Sequence, residues 1–395
     1  MKITKKYLQE ALNTLNFTNF TDIQKSVIPE ALKKRDIIAS SPTGTGKTHS
    51  YLIPLFEHLD ENVNEIQAVI LSPTRELANQ IYEMAQVIAK HAEKTIDIRL
   101  YVGGKDRDRE LHRLEKSQPH IVIGTPGKIH DLAITSNALK VYRSKKLIID
   151  EADMALEIGF LDDIDAIART MDSHLHMMVF SATISEQLKP FLRKYLKQPL
   201  EINQEDRPLK TLNVTHTLYR TADDQAKLKK LTSIVQSIQP YLAIIFVNKK
   251  EDVERIVQHI YPTNKHVVGL HGDIQPRKRK QILRDVKNLN YHYIVATDIA
   301  SRGIDIEGVS HIINYDLPKD MIFFIHRIGR TARMGASGES ITFFNDKDAH
   351  AFEFFDKHNI TLNLKDQRPK NSVKSVKNHP KSVKVNKMSK NKKKR

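Results

Sequence analysis

Asp150, Glu151 and Asp153 stand within four positions at the end of the apolar run "KLIID". Carboxylates set this close repel one another unless a cation lies among them, so the group is a candidate for holding Mg²⁺ and activating a water. About a hundred residues upstream, "SPTGTGKT" occupies residues 41–48. Its small residues Ser41, Pro42, Thr43, Gly44, Thr45 and Gly46 let backbone N–H groups curl around phosphates. Lys47 reaches toward the β- and γ-phosphates, and Thr48 supplies a hydroxyl to Mg²⁺. On this reading Asp150 holds the metal with Thr48, largely through water, and Glu151 orients and deprotonates the water that attacks a γ-phosphate. Two bland readings stand beside it. Ser41 occupies the place where the general P-loop pattern has its first glycine, which leaves a Gly/Thr-rich turn with a solvated lysine, and the acids would also suit the first turn of a helix beginning near Asp153.

Such groups need elements to carry them. The short apolar runs "DIIAS" (36–40), "QAVILS" (67–72), "HIVIG" (120–124), "KLIID" (146–150) and "HMMVFS" (176–181) are each followed by a helix-length segment. Continuous apolar runs of this length predict strands buried on both faces of a parallel sheet. The polar stretch "NQEDRPLK" (203–210) interrupts the rhythm, which restarts with "LAIIFVN" (242–248), "KHVVGL" (265–270), "YHYIVAT" (291–297) and "SHIINY" (310–315). The expected fold class is α/β, with two tandem parallel-sheet domains over residues 1–203 and 211–364, a linker at 204–210 and a tail at 365–395. In an open parallel sheet ligands bind beyond the carboxyl ends of the strands, which is where the phosphate-binding loop and the acids fall.

Composition bounds the partners. The 395 residues carry a net charge of +16, 40% apolar content and no cysteine, which excludes disulfides and thiolate zinc sites. The N-terminus is amphipathic without a signal peptide's apolar core, and no run approaches the roughly 18–20 apolar residues of a membrane span, so a cytoplasmic protein with no membrane partner is expected. Residues 365–395 hold 11 Lys and 2 Arg against Asp366, a net +12 that leaves +4 for the rest. That tail repeats Ser-Val-Lys three times and lacks aromatics, the composition of a disordered basic segment. "HLH" (174–176) sets two imidazoles near each other with no carboxylate cluster at ligand spacing, and both are expected at the surface.

With "PTRELA" (73–78), "TPGK" (125–128), "SAT" (181–183), "ATDIASRGID" (296–305) and "HRIGRTAR" (326–333), the P-loop and the Asp-Glu-Ala-Asp quartet resemble the DEAD-box RNA helicases of superfamily 2. The resemblance covers residues 16–335 in the family's order, and the motif layout is similar to the bacterial cold-shock members. It implies two RecA-like domains and an RNA-dependent ATPase with ATP and Mg²⁺ as cofactors, in which a small residue at Ser41 is usual. It also implies roles. Gln24 bonds adenine and Phe17 stacks on it, in a Q motif where Asn16 and Phe20 replace the usual Gly and Pro. A staple of Phe17 and Phe20 ahead of a helix is the alternative there. Gly303 and Asp305 meet the nucleotide, Asp305 at the ribose. His326 helps order the attacking water, and Arg330 and Arg333, expected on one helix face, converge on the γ-phosphate. Ser181 and Thr183 couple through Asp153 to the RNA side.

Pro73, Thr74, Arg75, Gly103, Gly104, Thr125, Pro126, Gly127, Lys128, Thr297 and Arg302 line an RNA groove that reads phosphates and 2′-hydroxyls rather than sequence. Lys128 replaces the customary Arg and loses its bidentate fork, and Pro276 replaces a common Gln. The implied partner is RNA, single-stranded or in short duplexes, with ribosomal or mRNA-decay complexes, ribosome biogenesis and RNA degradation as the settings such relatives suggest. Three activities compete: a helicase closing its domains on ATP and RNA, an ATP-switched RNA clamp or annealing factor, and a DNA-directed superfamily 2 translocase. The intact Lys47, Glu151, Arg330 and Arg333 favour the first over the second, and Asp153 with the Q motif favours RNA over DNA.

Overall fold

A computed structural model describes residues 3–17, 19–41, 45–172, 174–203, 213–301, 308–332 and 336–365. Of the sequence-predicted site residues, Pro42, Thr43, Gly44, Arg302, Gly303, Asp305 and Arg333 lie outside the described residues. So do the linker 204–210 and the tail from residue 366 onward.

The apolar runs do form strands. In the first half these are β1 (Ile37–Ser40), β2 (Ala68–Leu71), β3 (Ile98–Tyr101), β4 (Ile121–Gly124), β5 (Lys146–Ile149), β6 (His176–Ser181) and β7 (Leu200–Asn203). They pair in parallel in the order β3-β4-β2-β5-β6-β1-β7. The second half repeats the architecture with β8 (Val214–Arg220), β9 (Ala243–Val247), β10 (Val267–Leu270), β11 (Tyr293–Thr297), β12 (His311–Asn314), β13 (Gly338–Phe344) and β14 (Leu362–Leu364). Its order is β10-β11-β9-β12-β13-β8-β14, again parallel. Helices cover both faces of each sheet. In the first half, one core gathers Ile37, Ala39, Ile70 and Phe180 against Ile23, Val27 and Phe56; the other gathers Ile38, Val69, Leu147 and Val179 on the opposite face. This double burial is why β1, β2, β4 and β5 read as unbroken apolar stretches.

β1, β5 and β6 are neighbours at the centre of the first sheet, and their carboxyl ends deliver the phosphate-binding loop, the acidic quartet and "SAT" to one edge. β5 hands over to Asp150 and Glu151, and the helix Ala152–Ile158 follows at once. Glu151 sits at φ 49°, ψ 55°, a left-handed conformation that costs a non-glycine residue of order 1 kcal/mol or more and turns the chain sharply between strand and helix.

Two expectations need correction. Arg330 and Arg333 were expected on one helical face, but the helix Ile322–Ile328 ends before Arg330. Thr331 turns the chain there, its N–H bonding Ile328 O at 2.9 Å and its hydroxyl donating to Val309 O at 2.6 Å, and Ala332 follows at φ 54°. Of the two histidines assigned to the surface, His174 is exposed but His176 is buried, because β6 starts with it and its Nε2 lies 2.9 Å from Arg35 O.

A candidate ATP site and RNA groove between two sheets

Lys47 opens the helix Lys47–His58, and Gly46 just before it adopts φ 94°. A β-carbon at Gly46 would lie 2.5 Å from Gln24 Nε2, so both the backbone angle and the space require glycine. Gln24 is 2% exposed. Its Oε1 accepts from Thr21 N at 2.9 Å and its Nε2 donates to Gly46 O at 3.1 Å, which ties the Q-motif helix Asp22–Leu32 to the phosphate-binding loop. An amide has two donor hydrogens and two acceptor lone-pair sites, so one of each is left for an adenine edge. Phe17 stacks edge-on against His49 at 4.8 Å and stands 6.1 Å from Phe20. His49 has no partner on its Nε2 among the described residues and was not identified from the sequence.

The Lys47 ammonium is buried, 2.9 Å from Ser41 O and 3.3 Å from Glu151 Oε1. Ser41 Oγ and Thr45 Oγ1 are 2.6 Å apart, closing the loop on itself. Asp150 is fully enclosed. Its Oδ1 accepts from Glu151 N at 3.0 Å and its Oδ2 from the Tyr51 hydroxyl at 2.8 Å. Burial, then repulsion from Glu151, push its carboxyl up to about 6 against the pull of Lys47. Tyr51 is raised far above the ordinary tyrosine value by burial and by Asp150. A carboxylate at Asp150 and a hydroxyl at Thr48 are the oxygen donors that suit the shell of Mg²⁺, and its charge would offset the cost of burying Asp150 beside Glu151. Tyr51 carries no motif signal; only its place one helical turn after Lys47 could have drawn attention to it.

Asp153 joins three segments. Its N–H donates to Ser181 Oγ at 3.1 Å, its Oδ2 accepts from Thr183 N at 3.3 Å and Thr183 Oγ1 at 3.4 Å, and Ser181 Oγ donates to Thr183 O at 2.6 Å. From the second sheet, His326 Nε2 approaches Asp153 Oδ2 to 3.4 Å, both side chains buried. Burial alone would raise the Asp153 carboxyl, but the facing His326 and then Lys47 hold it well below the ordinary carboxylate range. The quartet is thus linked at once to "SAT" and to the second sheet.

Arg330 is buried just past the end of the helix that carries His326. The sequence reading missed its neighbour Arg327, 1% exposed, whose guanidinium bonds both oxygens of Asp298 at 2.6 and 2.7 Å, Asn314 Oδ1 at 3.1 Å and Asp316 O at 2.6 Å above the Phe246 ring. Every direction of its fork is occupied, so Arg327 positions the "HRIGRTAR" segment against "ATDIAS" and is not available to a nucleotide.

The groove residues gather at the same strand ends. Thr74 caps the helix Arg75–Ala89 by accepting from Leu77 N at 3.2 Å, with Pro73 just ahead of it. Arg75 is exposed, with no carboxylate within ion-pair range among the described residues, and its guanidinium lies over Gly103 and Gly104, where β-carbons would stand 2.7 and 3.0 Å from its nitrogens. Thr125 precedes the short helix Pro126–His130, which carries Gly127 and Lys128. Lys128 is bound internally, 2.7 Å from Glu110 and 3.8 Å from Asp131, so a phosphate there competes with Glu110. Thr297 ends β11 in the second sheet. Across the divide Arg279 Nε stands 2.5 Å from Glu76 Oε1, while Arg279 Nη2 donates to Ala300 O at 2.6 Å. The sequence reading singled out neither residue.

The DEAD/DEAH box helicase family matches residues 21–191, and the helicase conserved C-terminal domain matches residues 226–335. The DEAD-box ATP-dependent RNA helicase CshB of Bacillus subtilis (strain 168) is 44% identical over 90% of this chain and 81% of its own length; CshB of Staphylococcus aureus (strain NCTC 8325 / PS 47) is 38% identical over 94% and 82%. Among solved structures, S. cerevisiae Dbp5 bound to RNA and ADP BeF3 aligns with a TM-score of 0.80 at 26% identity, covering 91% of this chain and 93% of that one.

Proposed function

The chain belongs to the DEAD-box helicase family, and on that premise we propose that it is an RNA-stimulated ATPase that unwinds short RNA duplexes locally by closing its two RecA-like domains on ATP and RNA. One observation carries the reading: Lys47, Asp150 and Glu151 meet at one sheet edge, and the second sheet reaches into the same cluster through His326 and Asp153. The triphosphate lies along the loop 41–48 with Lys47 on its outer phosphates. Glu151, 3.3 Å from Lys47, takes the proton of the attacking water. Asp150 and Thr48 would hold Mg²⁺, which would supply charge neutralisation at the phosphate oxygens. Arg330 and Arg333 neutralise the charge that builds as the γ-phosphate departs, as arginine fingers do. Asp153, bonded to Ser181 and Thr183 and facing His326, ties the phosphate end to the second domain, so a bound nucleotide would favour the closed arrangement. The duplex strand is then held bent along Arg75, the Gly103–Gly104 turn and Thr125, and phosphate release loosens it.

RNA is the partner expected, with contacts to backbone and 2′-hydroxyls. Among the described residues no helix is long and apolar enough to cross a membrane; the setting we infer for an RNA-directed ATPase is the cytoplasm. Ribosomal or RNA-decay assemblies are the settings we infer for it. The test is ATP turnover without nucleic acid, with single-stranded RNA and with DNA of the same length. Stimulation by RNA alone is expected. Equal stimulation by DNA would reject the RNA assignment, and absence of turnover in every arm would reject the ATPase.

A further inference from the structure

The amino ends of β1, β2, β5, β6 and β7 enclose a cavity of about 720 Å³ on the edge of the first sheet opposite the ATP site. Six cations line it, Lys34, Arg35, Arg143, Lys145, Lys146 and Lys197, against the carboxylates Asp36 and Glu65, a net +4 with the histidines neutral. Asp36 is already committed: its two oxygens accept from Met177 N and Lys197 N, both at 2.9 Å. Glu65 pairs with Arg143 at 3.5 Å. Lys34, Lys145 and Lys146 have no carboxylate within ion-pair range among the described residues, although Lys146 is half-buried at the start of β5. Burial first, then Lys34 and Lys5, push its ammonium down to about 8. Two imidazoles complete the wall. His58 is depressed to about 4 by burial and then by Lys146, His176 is lowered by burial, and neither Nδ1 has a hydrogen-bond partner among the described residues. Concentrating like charge at a buried position is costly unless a counter-charge sits among it.

We propose that this cavity binds a compact polyphosphate, a ligand with three or four phosphate charges, through Lys34, Lys145, Lys146 and Arg143. Its volume is that of a small-molecule site. Its convergent ammonium and guanidinium groups are those that recognise phosphate oxygens. RNA lying in the groove does not supply these phosphates, because Arg75, Gly103 and Thr125 follow the carboxyl ends of β2, β3 and β4, whereas the cavity lies at the amino ends on the opposite edge of the sheet, at least about 13 Å away along a four-residue strand. A free polyphosphate is therefore the ligand, with the 5′-triphosphate end of a separate RNA as the alternative source of the same chemistry.

The full-length protein carrying Lys47→Ala, which disables the phosphate-binding loop, is titrated with inorganic tripolyphosphate by calorimetry without Mg²⁺ at about 0.15 M salt. One saturable site is expected, with a Kd on the order of 10 μM, weakened at least about tenfold by Lys146→Gln. Because Lys146 starts a central strand, the exposed pair Lys145→Gln and Arg143→Gln is measured as well and should weaken binding similarly with unchanged thermal unfolding. In a second arm, RNAs with a 5′-triphosphate or a 5′-hydroxyl are compared by anisotropy. Equal binding of the two RNAs alongside a tripolyphosphate site supports the free ligand. A triphosphate preference lost in Lys146→Gln supports the same site filled by an RNA end. The absence of saturable tripolyphosphate binding up to about 1 mM, or affinity unchanged in both sets of variants, would overturn the proposal.

Discussion

Replacing Arg279 and Glu76 by alanine, singly and together, isolates one of the two ion pairs that join the sheets among the described residues. At 2.5 Å the pair is close. The gross attraction between unit charges at that separation is about 6–7 kcal/mol at an effective dielectric of about 20. Most of this is offset. Both side chains give up water and rotamer freedom, 12% and 24% of their surface stays wet, and the Arg279 Nε–H is not aligned on the carboxylate. A net coupling of about 1–2 kcal/mol remains, within the range of charge-assisted contacts. If the pair forms only when the domains close, it contributes a factor of about 5–30 to the closure equilibrium. Single substitutions do not prove this, because Glu76 adjoins Arg75 in the RNA groove and Arg279 also holds Ala300 O. The double-mutant cycle removes those separate effects. The measurement is the closed fraction at saturating ATP and RNA, read by energy transfer between dyes on the two domains, with the KM for RNA in ATP turnover as a parallel readout. Each single variant should lower closure, and the double variant should lose markedly less than the sum. Strict additivity, with a coupling below about 0.5 kcal/mol, would refute the claim that this pair stabilises the closed form.

Three further outcomes follow from the geometry. Glu151→Gln keeps the shape of the side chain beside Lys47 but removes the basic oxygen, so single-turnover ATP cleavage should fall about 10²- to 10⁴-fold while nucleotide and RNA binding persist; wild-type cleavage would remove Glu151 from the role of base. Arg327→Met leaves Asp298 without its bidentate partner and should destabilise the second domain by about 3 kcal/mol in urea unfolding, whereas a variant as stable as wild type that loses only turnover would place Arg327 in the chemistry instead. Burial lowers His216 from 6.5 to about 4. Between those values the unfolded chain takes a proton that the folded chain refuses, so the stability it contributes is complete above about pH 6.5 and is lost as pH falls toward 4. His216→Leu should flatten that acid limb by up to about 3 kcal/mol, and an unchanged pH slope would show that another group carries it.

The sequence by itself determined the sheet class, most of the strands and the place of the candidate phosphate edge. Nine apolar runs became nine parallel strands, because strands covered on both faces have no polar side to interrupt them. Lys47, Asp150 and Glu151 were legible for a related reason: Asp150 and Glu151 stand at the end of one run, and Lys47 closes the loop that follows another, where such runs must end at the ligand-binding edge. The strands that escaped the reading carry polar residues. β3 holds the buried Arg99, neutralised by Asp97 and hydrogen-bonded to Ser117, and β8 and β13 mix polar and apolar residues. Only the tertiary structure decided which acids and bases meet. Tyr51 bonding Asp150, Arg327 locked onto Asp298, Arg279 reaching Glu76 across the divide, and the cations of Lys34, Lys145 and Lys146 converging beneath the sheet all depend on strand order. Strand order is set by how crossover helices pack, and local residue patterns do not encode it.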